Sequence, residues 1–160
     1  MRGVTPIATA ERVKWPGVWM RKETLAVTPD GLTICASASG PTETMDRLAA
    51  AVTSRGMAVL ARIDHAAAAA KADMALRPTE VLIFGAAKAG TPLMQAAQTM
   101  GIDLPLKALV WQDEQGKTWL AYNDPEWLAR RHGLDVQAFG SLAAMTGALA
   151  AVAKEATATA

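Results

Sequence analysis

The chain has 160 residues, with 16 Lys and Arg against 15 Asp and Glu for a formal net charge of +1, one Cys and two His. That length fits one domain with modest extensions and argues against a second full domain. Near-neutral charge, with no basic block longer than Arg130-Arg131, removes the electrostatic footprint of non-specific nucleic-acid binding. A lone Cys35 excludes an internal disulfide and a Cys-rich zinc site.

Hydrophobic residues make up 51% of the chain, but 35 of the 160 residues are Ala, each of which buries little surface. The core therefore rests on 32 Leu, Ile, Val and Phe, helped by eight Met and five Trp. This suits a compact domain whose ends pack weakly or whose core a partner completes. Met1 to Ala10 lacks the apolar core of a secretory signal, and no stretch reaches the roughly 20 apolar residues of a spanning helix. The expectation is a soluble protein without membrane insertion, cytoplasmic by default, with an exported mature form as the alternative.

Residues 1–22 mix Pro, Gly, charge, Trp15 and Trp19 without a clean period and read as an extension that packs through those rings. Organised structure is expected over 23–134. Glu23 to Thr28, Pro29-Asp30-Gly31 and Leu32 to Ala38 read as strand, turn, strand. Pro41 opens a helix with Met45, Leu48, Ala49 and Val52 on one stripe and Gly56 as its stop. Met57, Val59, Ala61 and Ile63 alternate as a strand, and Asp64 caps a helix opened by His65.

Val81 to Phe84 is a continuous apolar run, the signature of a strand covered on both faces. Gly85 to Gly90 then reads as a loop, with Thr91 as N-cap, Pro92 as first helical residue and a stripe of Leu93, Ala96, Ala97 and Met100 ended by Gly101. Leu106 to Trp111 and Lys117 to Tyr122 flank the hairpin Asp113-Glu114-Gln115-Gly116. Asp124-Pro125 opens a helix closing at His132-Gly133. From Asp135 an Ala-rich tail, 135–160, reads as a weakly amphipathic helix that frays toward Ala160.

Several short motifs occur in a fixed order. They are Arg62-Ile63-Asp64-His65-Ala66-Ala67; Arg77-Pro78-Thr79-Glu80-Val81-Leu82-Ile83-Phe84-Gly85; Lys88-Ala89-Gly90-Thr91-Pro92-Leu93-Met94; and Gly101-Ile102-Asp103-Leu104-Pro105-Leu106. Together they resemble the domain of unknown function 302 family over roughly Leu32 to Leu134. The resemblance implies a small two-layer α+β domain of bacteria and archaea, with a mixed sheet packed by helices, that pairs into dimers and has no agreed activity. Two positions depart from the family pattern: Ala86-Ala87 replaces the usual Asn-Pro, and Asp73 stands where a Gly often follows the first helix.

His65 stands at the positive end of a helix, where the dipole disfavours imidazolium, and a neutral ring can ligate a metal or take a proton. The plainer alternative is that Asp64 caps the helix and His65 bonds the backbone. Gly85 to Thr91 joins strand to helix, a context in which free amides and Lys88 hold an anion. It is not a phosphate-binding Walker loop, because Thr91 rather than Lys follows Gly90; otherwise the glycines shape a turn and Thr91 caps. Cys35 is a second metal candidate beside His65, or an inert thiol. His132 reads as helix C-terminal charge. Trp111, Trp119, Tyr122 and Trp127 cluster on the hairpin and the helix after it. Asp103, Asp113, Glu114 and Asp124 show no paired-carboxylate spacing, and no G-x-S-x-G elbow is present.

The first functional expectation is a small-ligand-binding or sensory domain acting as a homodimer. Its pocket is lined by His65, Gly85, Lys88, Gly90 and Thr91, and the candidate ligands are an anion, a metal or haem. The alternatives are a small enzyme with His65, oriented by Asp64, as general acid or base, and a structural interaction module using the aromatic hairpin and the tail.

Overall fold

The computed structural model describes residues 12–15 and 18–21 as backbone, and residues 29–159. The first two stretches, β1 (Arg12–Trp15) and β2 (Val18–Arg21), pair antiparallel, with Arg12 opposite Arg21. They belong to a unit of their own that ends at Asp30. The strand expected over Glu23 to Thr28 and the packing of the Trp15 and Trp19 rings lie outside the described residues.

From Gly31 onward the chain forms a second unit built on one five-stranded sheet. Its strands are β3 (Leu32–Ala36), β4 (Ala58–Asp64), β5 (Thr79–Gly85), β6 (Leu106–Gln112) and β7 (Thr118–Asn123), in the spatial order β3-β7-β6-β5-β4. Every pairing is antiparallel, so the α+β class stands while the expected mixed sheet is corrected. The Asp113–Gly116 turn joins β6 to β7, a tight link of the kind that an antiparallel pair allows.

Helices α1 (Pro41–Ser54) and α5 (Gly140–Thr157) cover one face. The expected stripe of α1 is buried at Met45, Leu48 and Val52, joined by Thr44 and Ala51. Leu82 and Phe84 of β5, Ala108 and Val110 of β6 and Leu120 of β7 meet them, together with Leu149, Val152 and Ala156 of α5. The expected C-terminal helix is present as α5, which runs to Thr157. The 18-residue α5 completes the main core, and Leu142 and Met145 near its start enter a second cluster with Leu93, Met100 and Leu128. Its weak amphipathic pattern follows from that double duty, because it presents apolar side chains to two clusters.

The remaining helices are short. They are α2 (His65–Ala70), α3 (Ala87–Ala96) and α4 (Pro125–Arg131), with 3-10 turns at Gln98–Ile102 and Val136–Ala138. Asp64 caps α2 by accepting the Ala67 amide at 2.8 Å, and Asp124 caps α4 through the Glu126 amide at 3.0 Å. The start of α3 differs from the reading of Thr91 as N-cap. The helix opens five residues before Pro92, at Ala87, and holds Pro92 inside it. Ala87-Lys88-Ala89 are strong helix formers, and their propensity carries the helix back past Thr91.

Asp73, one of the two departures from the family pattern, has φ of +55°. That left-handed backbone suits glycine and strains an L side chain by roughly 1–2 kcal/mol. Asp73→Gly is expected to raise stability by about 0.5–1 kcal/mol, the relief being offset in part by the freer unfolded chain. Urea unfolding followed by circular dichroism checks this; a lower midpoint contradicts it.

Candidate functional site

Sheet and helices leave a cavity of about 590 Å³ at the end of the sheet where β4 begins and β5 ends. Ala58 of β4 lies opposite Gly85 of β5 there, which fixes the floor. One wall is α3, through Ala87, Ala89, Gly90, Thr91 and Met94, and another is Leu104-Pro105-Leu106 leading into β6. Ser141, Ala144, Met145 and Ala148 of α5 form the third, and Met57 and Leu60 complete the rim. Gly90 is buried, and a Cβ added to it would crowd Leu104 Cδ1 at 3.3 Å. None of the lining residues carries a charge, and only Thr91 and Ser141 offer a side-chain oxygen.

Gly85, Gly90 and Thr91, which the sequence groups at one strand-to-helix junction, all line the cavity. Lys88 is exposed and outside the lining. His65 does not share this site. Strand β4 runs from Ala58, at the cavity, to Asp64 beside Glu80, so His65 lies roughly 20 Å away at about 3.3 Å per residue. It is exposed, and the Asp64 carboxylate is occupied by the Ala67 amide rather than by the imidazole, which removes the expected orienting contact.

Cys35 and His65 do not form a common ligand set either. Cys35 is on β3 and His65 follows β4, the two opposite edges of the sheet, roughly 19 Å apart at about 4.8 Å per strand. Burial pushes the Cys35 thiol up, which favours the unreactive protonated form. Among the described residues no three His, Cys, Asp or Glu side chains gather as a metal site.

His132 is more than helix-terminal charge. Its ring bridges the Thr99 hydroxyl, 2.9 Å from Nδ1, and the Asp103 carboxylate, 2.6 Å from Nε2. Arg131 Nη1 adds a contact of 3.2 Å to the same carboxylate. The imidazole is nearly buried and pins α4 to the Gln98–Ile102 turn, just before the Leu104 wall. No sequence spacing signals this cluster, because Thr99 and His132 are 33 positions apart.

On the hairpin, Trp111 and Trp119 stack with centroids 6.4 Å apart, and the Trp119 indole N–H donates to Asp113 Oδ2 at 2.7 Å. Burial pushes the Asp113 carboxyl up, but the Trp119 indole, the Lys117 and Gln115 amides and the Lys117 charge outweigh it and hold it below the usual carboxylate range. A depressed pKa stabilises the fold above the unfolded carboxylate value of about 3.9 and loses that contribution as pH falls through the lower folded value. Acidification from pH 5 to pH 2 is therefore expected to weaken the wild type more than Asp113→Asn, with urea midpoints as the readout; equal losses contradict the assignment.

The chain is 44% identical over 129 residues to proteins named fluoride-specific ion channel FluC 1 in Brucella suis and in Brucella abortus. The match takes in 81% of this chain and 51% and 48% of those proteins, so the chain spans about half the length of the curated relatives it matches. Among the described residues no helix is long and apolar enough to cross a membrane. A crystal structure of an uncharacterized conserved DUF302 protein from Bacillus stearothermophilus superposes with a TM-score of 0.71 at 19% identity, covering 80% of this chain and 99% of that one. With the family model of domain of unknown function DUF302 matching residues 34–152, the chain belongs to the DUF302 family.

Proposed function

We propose that this chain is a small-ligand-binding domain that acts as a homodimer, with its ligand in the cavity beside Gly85, Gly90 and Thr91. The observation that carries the reading is the cavity itself: about 590 Å³ falls within the range of small-molecule sites. Of the candidate ligands, an anion would have to rest on backbone amides alone, since Lys88 stands outside the lining. A metal would find only Met thioethers and two hydroxyls among the lining side chains, and haem would find no imidazole or thiolate.

Pairing is supported by the sheet face turned away from α1 and α5. Ile34, Val81, Ile83, Leu109, Trp111 and Trp119 alternate with the core positions along their strands, remain half-buried and belong to neither core cluster. An apolar sheet face of this kind is normally covered. Light scattering of the full chain is expected to give twice the chain mass, and Leu109→Lys or Trp111→Glu to give a folded monomer by circular dichroism. A monomeric wild type overturns the pairing. For the ligand, a thermal-shift panel of small molecules is expected to contain one that raises the midpoint of the wild type and not of Ala148→Phe; equal responses overturn the site.

The channel-named relatives favour a second reading. An ion channel conducts through a membrane-spanning part, and this chain has no helix long and apolar enough to span a membrane among its described residues, so on this reading the pore of those proteins belongs to the part outside the match. By that account this chain is the counterpart of an attached domain and works beside a fluoride channel. Co-expression with a fluoride channel is expected to bring the chain into channel-containing membrane fractions; equal partitioning without the channel overturns it.

A further inference from the structure

We infer that the cavity takes the unbranched aliphatic chain of a free small molecule, with at most a neutral polar end; this rests on the ligand-site reading and names the class of ligand. The lining has no charged side chain, so a buried ionic group would lose its hydration without a partner. It also has no Phe, Tyr, Trp or His, and therefore no ring face to stack on a planar aromatic or a base.

Three thioethers line the cavity instead, from three separate places: Met57 before β4, Met94 on α3 and Met145 on α5. Methionine is unbranched, polarizable and adaptable, and it moulds itself to a flexible chain better than a fixed branched or aromatic wall does. At the rim, the register of β4 against β5 shifts between Val59 and Ala61, and this bulge carries Leu60, which lines the cavity yet is 59% exposed. Bulges re-aim a side chain beside a site, and here the leucine is set against the solvent-facing length of a bound chain. Thr91 and Ser141 supply the hydroxyls for a neutral end. A ten-carbon chain, at about 30 Å³ per water-sized group, fills on the order of half the volume.

The test is carbon-13 NMR of the full chain labelled at the methionine methyl groups, titrated with 1-hexanol, 1-octanol and 1-decanol. The Met57, Met94 and Met145 methyls are expected to shift while Met74, which is 67% exposed and outside the lining, stays fixed. Each added methylene is expected to tighten binding roughly fourfold. Ala148→Phe, or Ala144→Phe at an exposed α5 position should the first fail to fold, is expected to weaken decanol more than tenfold. Binding independent of chain length, or undiminished in both variants, overturns the inference. Should 1-aminoanthracene move the three methyls while the alkanols do not, the cavity stands as a ligand site and the aliphatic assignment falls; silence toward both classes removes both. Phosphatidylcholine vesicles that float the chain while decanol leaves the methyls unmoved would assign the cavity to membrane lipid and overturn the free-ligand inference.

Discussion

Phe84→Ala is expected to cost about 3–5 kcal/mol, the range for truncating a buried aromatic ring without full collapse of the space it leaves. Phe84 is wholly buried on β5, opposite Leu106 of β6, and belongs to the cluster that joins α1, α5 and the sheet. Its burial follows from strand parity, since Leu82 and Phe84 face the helices while Val81 and Ile83 face the other way. Single domains are stable by only about 5–15 kcal/mol, so one ring is a large share of the whole. Urea unfolding at 25 °C reads the loss directly. A change below about 1 kcal/mol would mean that the two helices do not close over β5 as described. Leu82→Ala, also fully buried, should give a loss of similar kind at about 2–5 kcal/mol.

Gly31→Ala is the second large effect, and it arises from a position with no side chain at all. Gly31 has φ of +78°, and a Cβ there would clash with the indole of Trp127 at Cδ2. The residue ties two elements together, because its carbonyl accepts the Asp124 amide at 2.7 Å, immediately before α4, while β3 begins at Leu32. Alanine has to move the indole of Trp127, which packs on the second core cluster, and also has to hold a left-handed backbone. Backbone strain of roughly 1–3 kcal/mol and overpacking of about 1–3 kcal/mol act together. The expected loss is therefore about 3 kcal/mol or more, with Trp127→Ala relieving the steric part in the double variant. Additive single losses would contradict the contact, since neighbours that clash couple.

Much of this fold is legible along the chain because its signals are local. Asp113 to Gly116 announces the hairpin, Asp64 and Asp124 announce their caps, and the spacing of Met45, Leu48 and Val52 announces the buried side of α1. Where local signals compete, the sequence misleads: Thr91-Pro92 has the form of a helix start, yet the Ala- and Lys-rich residues before it extend α3 back to Ala87. The site is only half legible. Gly85, Gly90 and Thr91 are found because one loop holds them. Met57, Leu104 and Ala148 join them only through the direction of β4, the entry into β6 and the docking of α5, which no spacing encodes. The same strand direction carries His65 away from the loop. The Thr99–His132–Asp103 cluster is tertiary in the same sense.

The most direct test of the ligand-binding homodimer is a native mass spectrum of the full chain purified without denaturation, wild type beside Ala148→Phe. The expected result is a dimer mass carrying a small-molecule adduct in the wild type, and the same dimer without the adduct in the variant. A bare monomer in both, under conditions where circular dichroism shows both folded, would contradict it.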